Sequence, residues 1–267
     1  MKRNPGRIRR LSSPSVALAA ALCHAPVLAS QQLLVVTGLS GEPGFAASFE
    51  LAGASIVETA RRHWGLQSAD ITWLAEDPAH QPGMITARAS AGAIDTAISR
   101  IASRGGRGET VVVVLIGHGS GSGAESRLSI PGRDPTAAEY GRWLVRLAGK
   151  TVVFVVAASG SGDFVPVIAA PGRIVITATR SSSERNESLF ASRFAHGLAS
   201  LEADADKDGK LSILEAFSYA DREVAAAYSA DNRLRTEHAV LQDGSDGSLA
   251  RRTTLGRDAT ADDPRAA

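Results

Sequence analysis

The sequence predicts an α/β fold, a mostly parallel sheet flanked by helices, followed by a helix-loop-helix built around a cation-binding loop. Three observations carry this. Apolar runs at residues 33–37, 111–116, 151–156 and 173–177, with a weaker fifth at 71–74, are rich in Val and Ile. They are nearly continuous, as strands buried on both faces are. Segments at 46–64, 85–103, 135–147 and 189–201 read as helices, and such alternation gives a parallel sheet with right-handed crossovers. Residues 204–215 then read D-A-D-K-D-G-K-L-S-I-L-E.

Each strand ends in small residues. In the helical segment 85–103, Ala93, Ile94, Ala97, Ile98 and Ile101 make an apolar face at helical spacing. The carboxyl ends of the strands are where ligands collect in such sheets. The first strand runs into Thr37-Gly38-Leu39-Ser40-Gly41, and the 111–116 strand into Gly117-His118-Gly119-Ser120-Gly121. The 151–156 strand runs into Ala157-Ala158-Ser159-Gly160-Ser161-Gly162-Asp163-Phe164. Glycine on both sides of His118 lets the chain turn sharply and leaves an imidazole beside free backbone N–H groups. No G-x-x-x-x-G-K-[ST] is present, and no G-x-G-x-x-G leads into a convincing helix, so a phosphate cradle is not expected.

A strand ending in His-Gly, followed by a strand ending in a Ser/Gly-Phe turn, resembles the caspase/legumain (hemoglobinase) class of peptidases. The stretch 176–187, with its Thr-Arg-Ser-Ser-Ser-Glu-Arg core, and the acidic loop that follows resemble the bacterial legumain-like branch. The resemblance spans roughly residues 33–185. It implies that His118 is the general base, that the Gly119 N–H serves an oxyanion, and that Ser159 stands where the family has its nucleophilic cysteine. Ala157 stands where that family usually has an acidic residue. Arg180 and Arg185 fall on a loop that shapes substrate pockets in the family, where they would read an acidic side chain or carboxylate.

The departure at Ser159 matters chemically. A serine hydroxyl is a far weaker nucleophile than a thiol, and needs an aligned base that is itself oriented by a third group. No partner for His118 is evident nearby in sequence; Asp163 and Glu184 are through-space candidates. The resemblance therefore implies a non-catalytic, peptidase-like protein that binds a peptide or protein ligand, with a serine-dependent hydrolase as the alternative.

The 204–215 loop fits Ca2+, a hard cation that takes six to eight oxygen ligands. Asp204, Asp206 and Asp208 occupy its first, third and fifth positions, Gly209 the turn, the Lys210 carbonyl the seventh, Ser212 the ninth and Glu215 the twelfth. Residues 189–201 and 213–229 would be the entering and exiting helices of an EF-hand. Sensors pair two such loops and open a Met-rich groove. This chain has one complete loop and 2 Met, so a stabilising site is expected.

The N-terminus reads as an export signal over residues 1–30, with a basic start (Lys2, Arg3, Arg7, Arg9, Arg10), an apolar stretch and a Val27-Leu28-Ala29 cleavage pattern. That stretch is too short, and too broken by His24 and Pro26, for a stable membrane span. A periplasmic or secreted location is expected. Cleavage would remove five of the 29 Lys+Arg and none of the 28 Asp+Glu, leaving a net charge of −4, so nucleic acid is not an expected partner. It would also remove Cys23, the only cysteine, and with it any thiol chemistry. The chain thus divides into a signal (1–30), an α/β domain (31–200), the calcium loop with a helical extension (201–253) and a polar tail (254–267) expected to be disordered.

Overall fold

The computed structural model describes residues 31–244 and 247–256; the expected export signal and residues 257–267 lie outside them. In chain order the first half comprises β1 (Gln31–Thr37), α1 (Pro43–Arg62), β2 (Ile71–Ala75), β3 (Ala87–Arg88), α2 (Ala91–Ser103) and β4 (Thr110–Gly117). A small ribbon of β5 (Gly119–Ser120) and β6 (Arg127–Leu128) follows, then α3 (Ala137–Leu144) and β7 (Thr151–Ala158). Next come α4 (Val165–Ile168), β8 (Arg173–Thr177), α5 (Phe190–Ala199), β9 (Leu211–Ser212) and α6 (Ile213–Ala230). The last elements are β10 (Val240–Asp243), α7 (Leu249–Arg252) and β11 (Thr254–Leu255).

Seven strands form one sheet in the order β10-β8-β7-β4-β1-β2-β3. All neighbours are parallel except β10, which runs antiparallel to β8. The near-continuous apolar runs follow from burial on both sides. Leu33, Val35, Val112 and Val114 face a layer made by α1, α5 and α6, while Leu34, Val36, Val111 and Val113 face α2, α3 and α4. Leu211, Ile213, Ala216 and Leu249 share the first of these clusters, so the C-terminal elements pack on the same core as the sheet.

Four points differ from the sequence reading. The second helix was expected from residue 85. Instead the Thr86 and Ala89 amides donate to the Trp73 and Ala75 carbonyls and draw this stretch into the sheet edge as β3. The helix begins only where Ser90 caps it, its Oγ accepting the Ala93 N–H at 3.1 Å. The short edge strand β10 was not foreseen, since its four residues mix apolar and polar types. Thr254 and Leu255, assigned to the disordered tail, instead pair with Ser212 and Leu211 as β11. Helix α1 starts earlier than expected because Pro43, its φ already suited to a first turn, opens it.

Helix α3 opens with a reciprocal box in which Thr136 Oγ1 accepts the Glu139 N–H and Glu139 accepts the Thr136 N–H. The Arg133 guanidinium, with that N–H, holds the Glu139 carboxyl down to about 2. A depressed folded pKa gives stability that is present above the ordinary carboxylate range and is lost as pH falls from there toward the folded value. Because Arg133 is exposed, the contribution is about 1 kcal/mol. Glu139→Gln is expected to remove it at neutral pH and flatten the acid limb of a pH–stability profile. An unaltered acid limb in that variant would eliminate Glu139 as its source.

At the amino-terminal edge of the sheet, Lys150 pairs with Glu109, their side chains only 6% and 1% exposed. Gln32 Nε2 donates to the same Glu109 oxygen at 3.1 Å.

Candidate functional site

His118 follows β4 and Ser159 follows β7, so the parallel pairing of these two strands brings both residues to the carboxyl edge of the sheet. The approach is close. A Cβ on Gly119 would lie 2.1 Å from the Ser159 carbonyl oxygen, so only glycine fits beside the histidine. The Gly119 N–H points at Ser159 Oγ, 3.4 Å away. His118 lies edge-on to Phe45 and Phe49 of α1, with ring centroids 4.7 and 5.2 Å apart. Its Nε2 is 3.2 Å from the Ser40 carbonyl oxygen. A carbonyl only accepts, so Nε2 carries a proton, and in the neutral imidazole Nδ1 is then the acceptor.

The structure thus gathers His118, Gly119 and Ser159 in one cleft, though among the described residues no hydrogen bond joins His118 to Ser159. Phe45, Phe49, Glu187 and Ser188 close around them and leave a cavity of about 10 Å³. Ser159 is 7% exposed.

Neither acid considered as a partner for His118 turns toward it. Asp163 accepts the Gly123 and Ser182 N–H groups at 2.8 and 3.2 Å, and the first of these chiefly lowers its pKa. Glu184 pairs with Arg180 at 2.8 Å and with His238 at 2.7 Å. Burial pushes the Glu184 carboxyl up, but the Arg180 and His238 N–H groups together hold it lower. Arg180 is therefore engaged with Glu184, and Arg185 Nε donates to the Ser182 carbonyl at 3.0 Å. Neither arginine lines the cleft.

The partner of His118 is a backbone carbonyl, which no residue type signals. Ser40 is held in turn by Glu76 Oε2, which accepts both its N–H and its hydroxyl at 3.0 Å. Beyond Ser40, at the ends of β1 and β2, a cavity of about 590 Å³ is lined by Gly38, Glu42, Ala46, Phe49, Glu50, Glu76 and His80.

In the 204–215 loop the structure brings carboxylate oxygens of Asp204, Asp206 and Asp208 within 4.8 Å of one another. Asp204 Oδ2 accepts the Gly209 N–H at 3.0 Å, while its Oδ1 is buried with no hydrogen-bond donor among the described residues. A lone buried acceptor of this kind is costly unless a donor or cation meets it. Lys207 and Gly209 take the left-handed backbone that curls the loop around these oxygens. The Lys210 N–H donates to Asp208 Oδ1 at 2.7 Å. Glu215 lies at the opposite wall. Its Oε1 accepts the Ala205 N–H at 3.0 Å, and its Oε2 accepts the Ser212 hydroxyl at 2.7 Å. The donor set is all oxygen, as a hard divalent cation requires.

The two sites occupy opposite ends of the sheet. The 204–215 loop adjoins Gln31, at the start of β1, through β9 and β11, whereas His118 follows the end of β4. The eight residues of β4 separate those edges by roughly 25 Å.

No family model matches the sequence, and no curated protein matches it either. Solved structures do. Caspase-1 from Spodoptera frugiperda superposes with a TM-score of 0.50 over 88% of this chain and 94% of its own, at 13% identity. The chain has a caspase-like fold. A structure of pro-sf-caspase-1 agrees, with a TM-score of 0.51 at 11% identity over 80% of this chain and 91% of its own. The protein GSU0716 from Geobacter sulfurreducens gives 0.54 at 12% identity over 85% and 99%. At these identities the likeness is one of fold alone.

Proposed function

We propose that the protein is an exported, calcium-stabilised binding module on a caspase-like fold, and that its strand-end cleft does not cut peptides. The observation that carries this is the closure over Ser159. A cavity of about 10 Å³ holds at most one water and has no room for a scissile carbonyl. The Gly119 N–H, which an oxyanion would need, is turned to the Ser159 hydroxyl, and among the described residues no base is hydrogen-bonded to that hydroxyl. The neighbouring cavity of about 590 Å³ offers a peptide or protein ligand the space the cleft lacks, and the carboxylates at its rim suit a basic residue.

One observation favours the alternative reading. The Ser40 carbonyl fixes the His118 tautomer that leaves Nδ1 free to accept a proton, as a serine-dependent hydrolase would need. A fluorophosphonate probe separates the two. No labelling of Ser159 is expected; labelling that His118→Ala abolishes would overturn the binding-module reading.

For the metal, Asp204, Asp206, Asp208, the Lys210 carbonyl, Ser212 and Glu215 would hold Ca2+ in an EF-hand manner, supplying charge neutralisation and loop closure. Its position far from the cleft supports a structural role. A loop of this type saturates at the calcium levels of a periplasmic or extracellular space, and cleavage just before Gln31 would leave β1 whole. Calcium at a hundred times its Kd is expected to add about 2.7 kcal/mol, or about 5–10 °C in Tm. Asp204→Ala should abolish that gain. A melting curve indifferent to chelator and calcium alike would defeat the assignment.

A further inference from the structure

The 204–215 loop is not self-contained. Its residues Leu211 and Ser212 form β9, which pairs antiparallel with β11 through Leu211↔Leu255 and Ser212↔Thr254. The Ile213 N–H then donates to the Thr253 carbonyl at 2.9 Å. Leu249, Ala250 and Leu255 enter the same apolar cluster as Leu211 and Ile213. Gln31 completes the attachment: its Nε2 donates to the Thr254 carbonyl at 3.3 Å, and its Oε1 accepts the Gly256 N–H at 3.4 Å.

A ribbon two residues long has no independent stability. It persists only because the loop holds one strand in shape and buried leucines hold the other. The predicted ligands at the seventh and ninth positions, Lys210 and Ser212, flank Leu211, so the conformation of β9 sets where their oxygens lie. β11 sets the conformation of β9. We infer that residues 249–256 are the intramolecular partner of the calcium loop, taking the place that a second loop fills in paired calcium sites, so that ion binding and docking of this segment are one linked equilibrium. The inference rests on the calcium reading above. By reciprocity, the factor by which docking raises calcium affinity is the factor by which calcium favours docking.

Two measurements on the full chain test it. Calorimetric titration with Ca2+ compares the wild-type protein with Leu255→Ala, which withdraws the apolar anchor of β11 and leaves every proposed ligand in place. The expected result is an affinity weakened about 10-fold, within the usual range of coupling between sites. Trypsin digestion of the wild-type protein, which needs no variant, reads the converse. Arg251 and Arg252 are exposed, and their cleavage is expected to slow by about the same factor when calcium replaces chelator. Calcium binding with an unchanged Kd in Leu255→Ala and no protection of Arg251 and Arg252 would overturn the inference and leave the metal site standing. No calcium binding by the wild-type chain would remove both.

Discussion

Replacing Lys150 by alanine is expected to lower stability by about 3–5 kcal/mol, the usual result of stripping one partner from a buried ion pair. For a chain of this length that is about 6–20 °C in Tm. Glu109 would keep a single neutral donor, Gln32 Nε2, and its Oε1 already has no hydrogen-bond partner among the described residues. The charge cannot relax toward water, because the residue is 2% exposed. The double variant Lys150→Met with Glu109→Leu is expected to recover most of the loss, since an apolar pair of similar volume removes two desolvation penalties together. Urea unfolding of the three proteins measures both effects. A loss under about 1 kcal/mol in the single variant would mean that the pair behaves as a surface salt bridge.

The second large effect is expected at Glu237. Its carboxylate closes the start of α5, accepting the Leu189 and Phe190 N–H groups at 2.9 and 3.0 Å together with the Ser188 hydroxyl. Glu237→Ala takes the acceptor from the Leu189 N–H and the Ser188 hydroxyl and leaves the Phe190 N–H only Ser188 Oγ at 3.3 Å, at a cost of about 3 kcal/mol for bonds to a charged group. Glu237→Gln is expected to cost less, because it retains an acceptor and removes a buried charge. Burial pushes the Glu237 carboxyl up despite the three hydrogen bonds that oppose it. The sign follows: the folded state holds this proton more tightly than the unfolded chain, so the associated stability is present at low pH and is lost as pH rises through the folded pKa. Melting curves across the acidic and neutral range should show that decline in the wild-type protein and its absence in Glu237→Gln. Parallel profiles for the two proteins would rule out Glu237 as the titrating group.

What could be read from sequence depended on what each position answers to. The central strands were legible because both faces of β1, β4 and β7 are buried, which forces apolar residues at every position. The cleft was legible because close approach of β4 and β7 demands glycine, as at Gly119. The triad of aspartates was legible because side chains supply those oxygens. The third member of the His118 constellation was not, since the Ser40 carbonyl would look the same with almost any residue. β10 and β11 escaped notice for another reason. At four and two residues they are too short for a period to register, and tertiary pairing decides their conformation. The misplaced start of α2 belongs with them: Thr86 and Ala89 join the sheet by backbone bonds that compositional pattern does not reveal.

The bonds from Gln31 to Thr254 and Gly256 have a consequence for how the molecule can be displayed. They bring the first and last described residues together at the amino-terminal edge of the sheet, 225 positions apart along the chain. The cleft and its neighbouring cavity open at the other edge. A tether attached at Gln31 or Gly256 therefore leaves from the same side, and holds the cleft and its neighbouring cavity outward from whatever carries it.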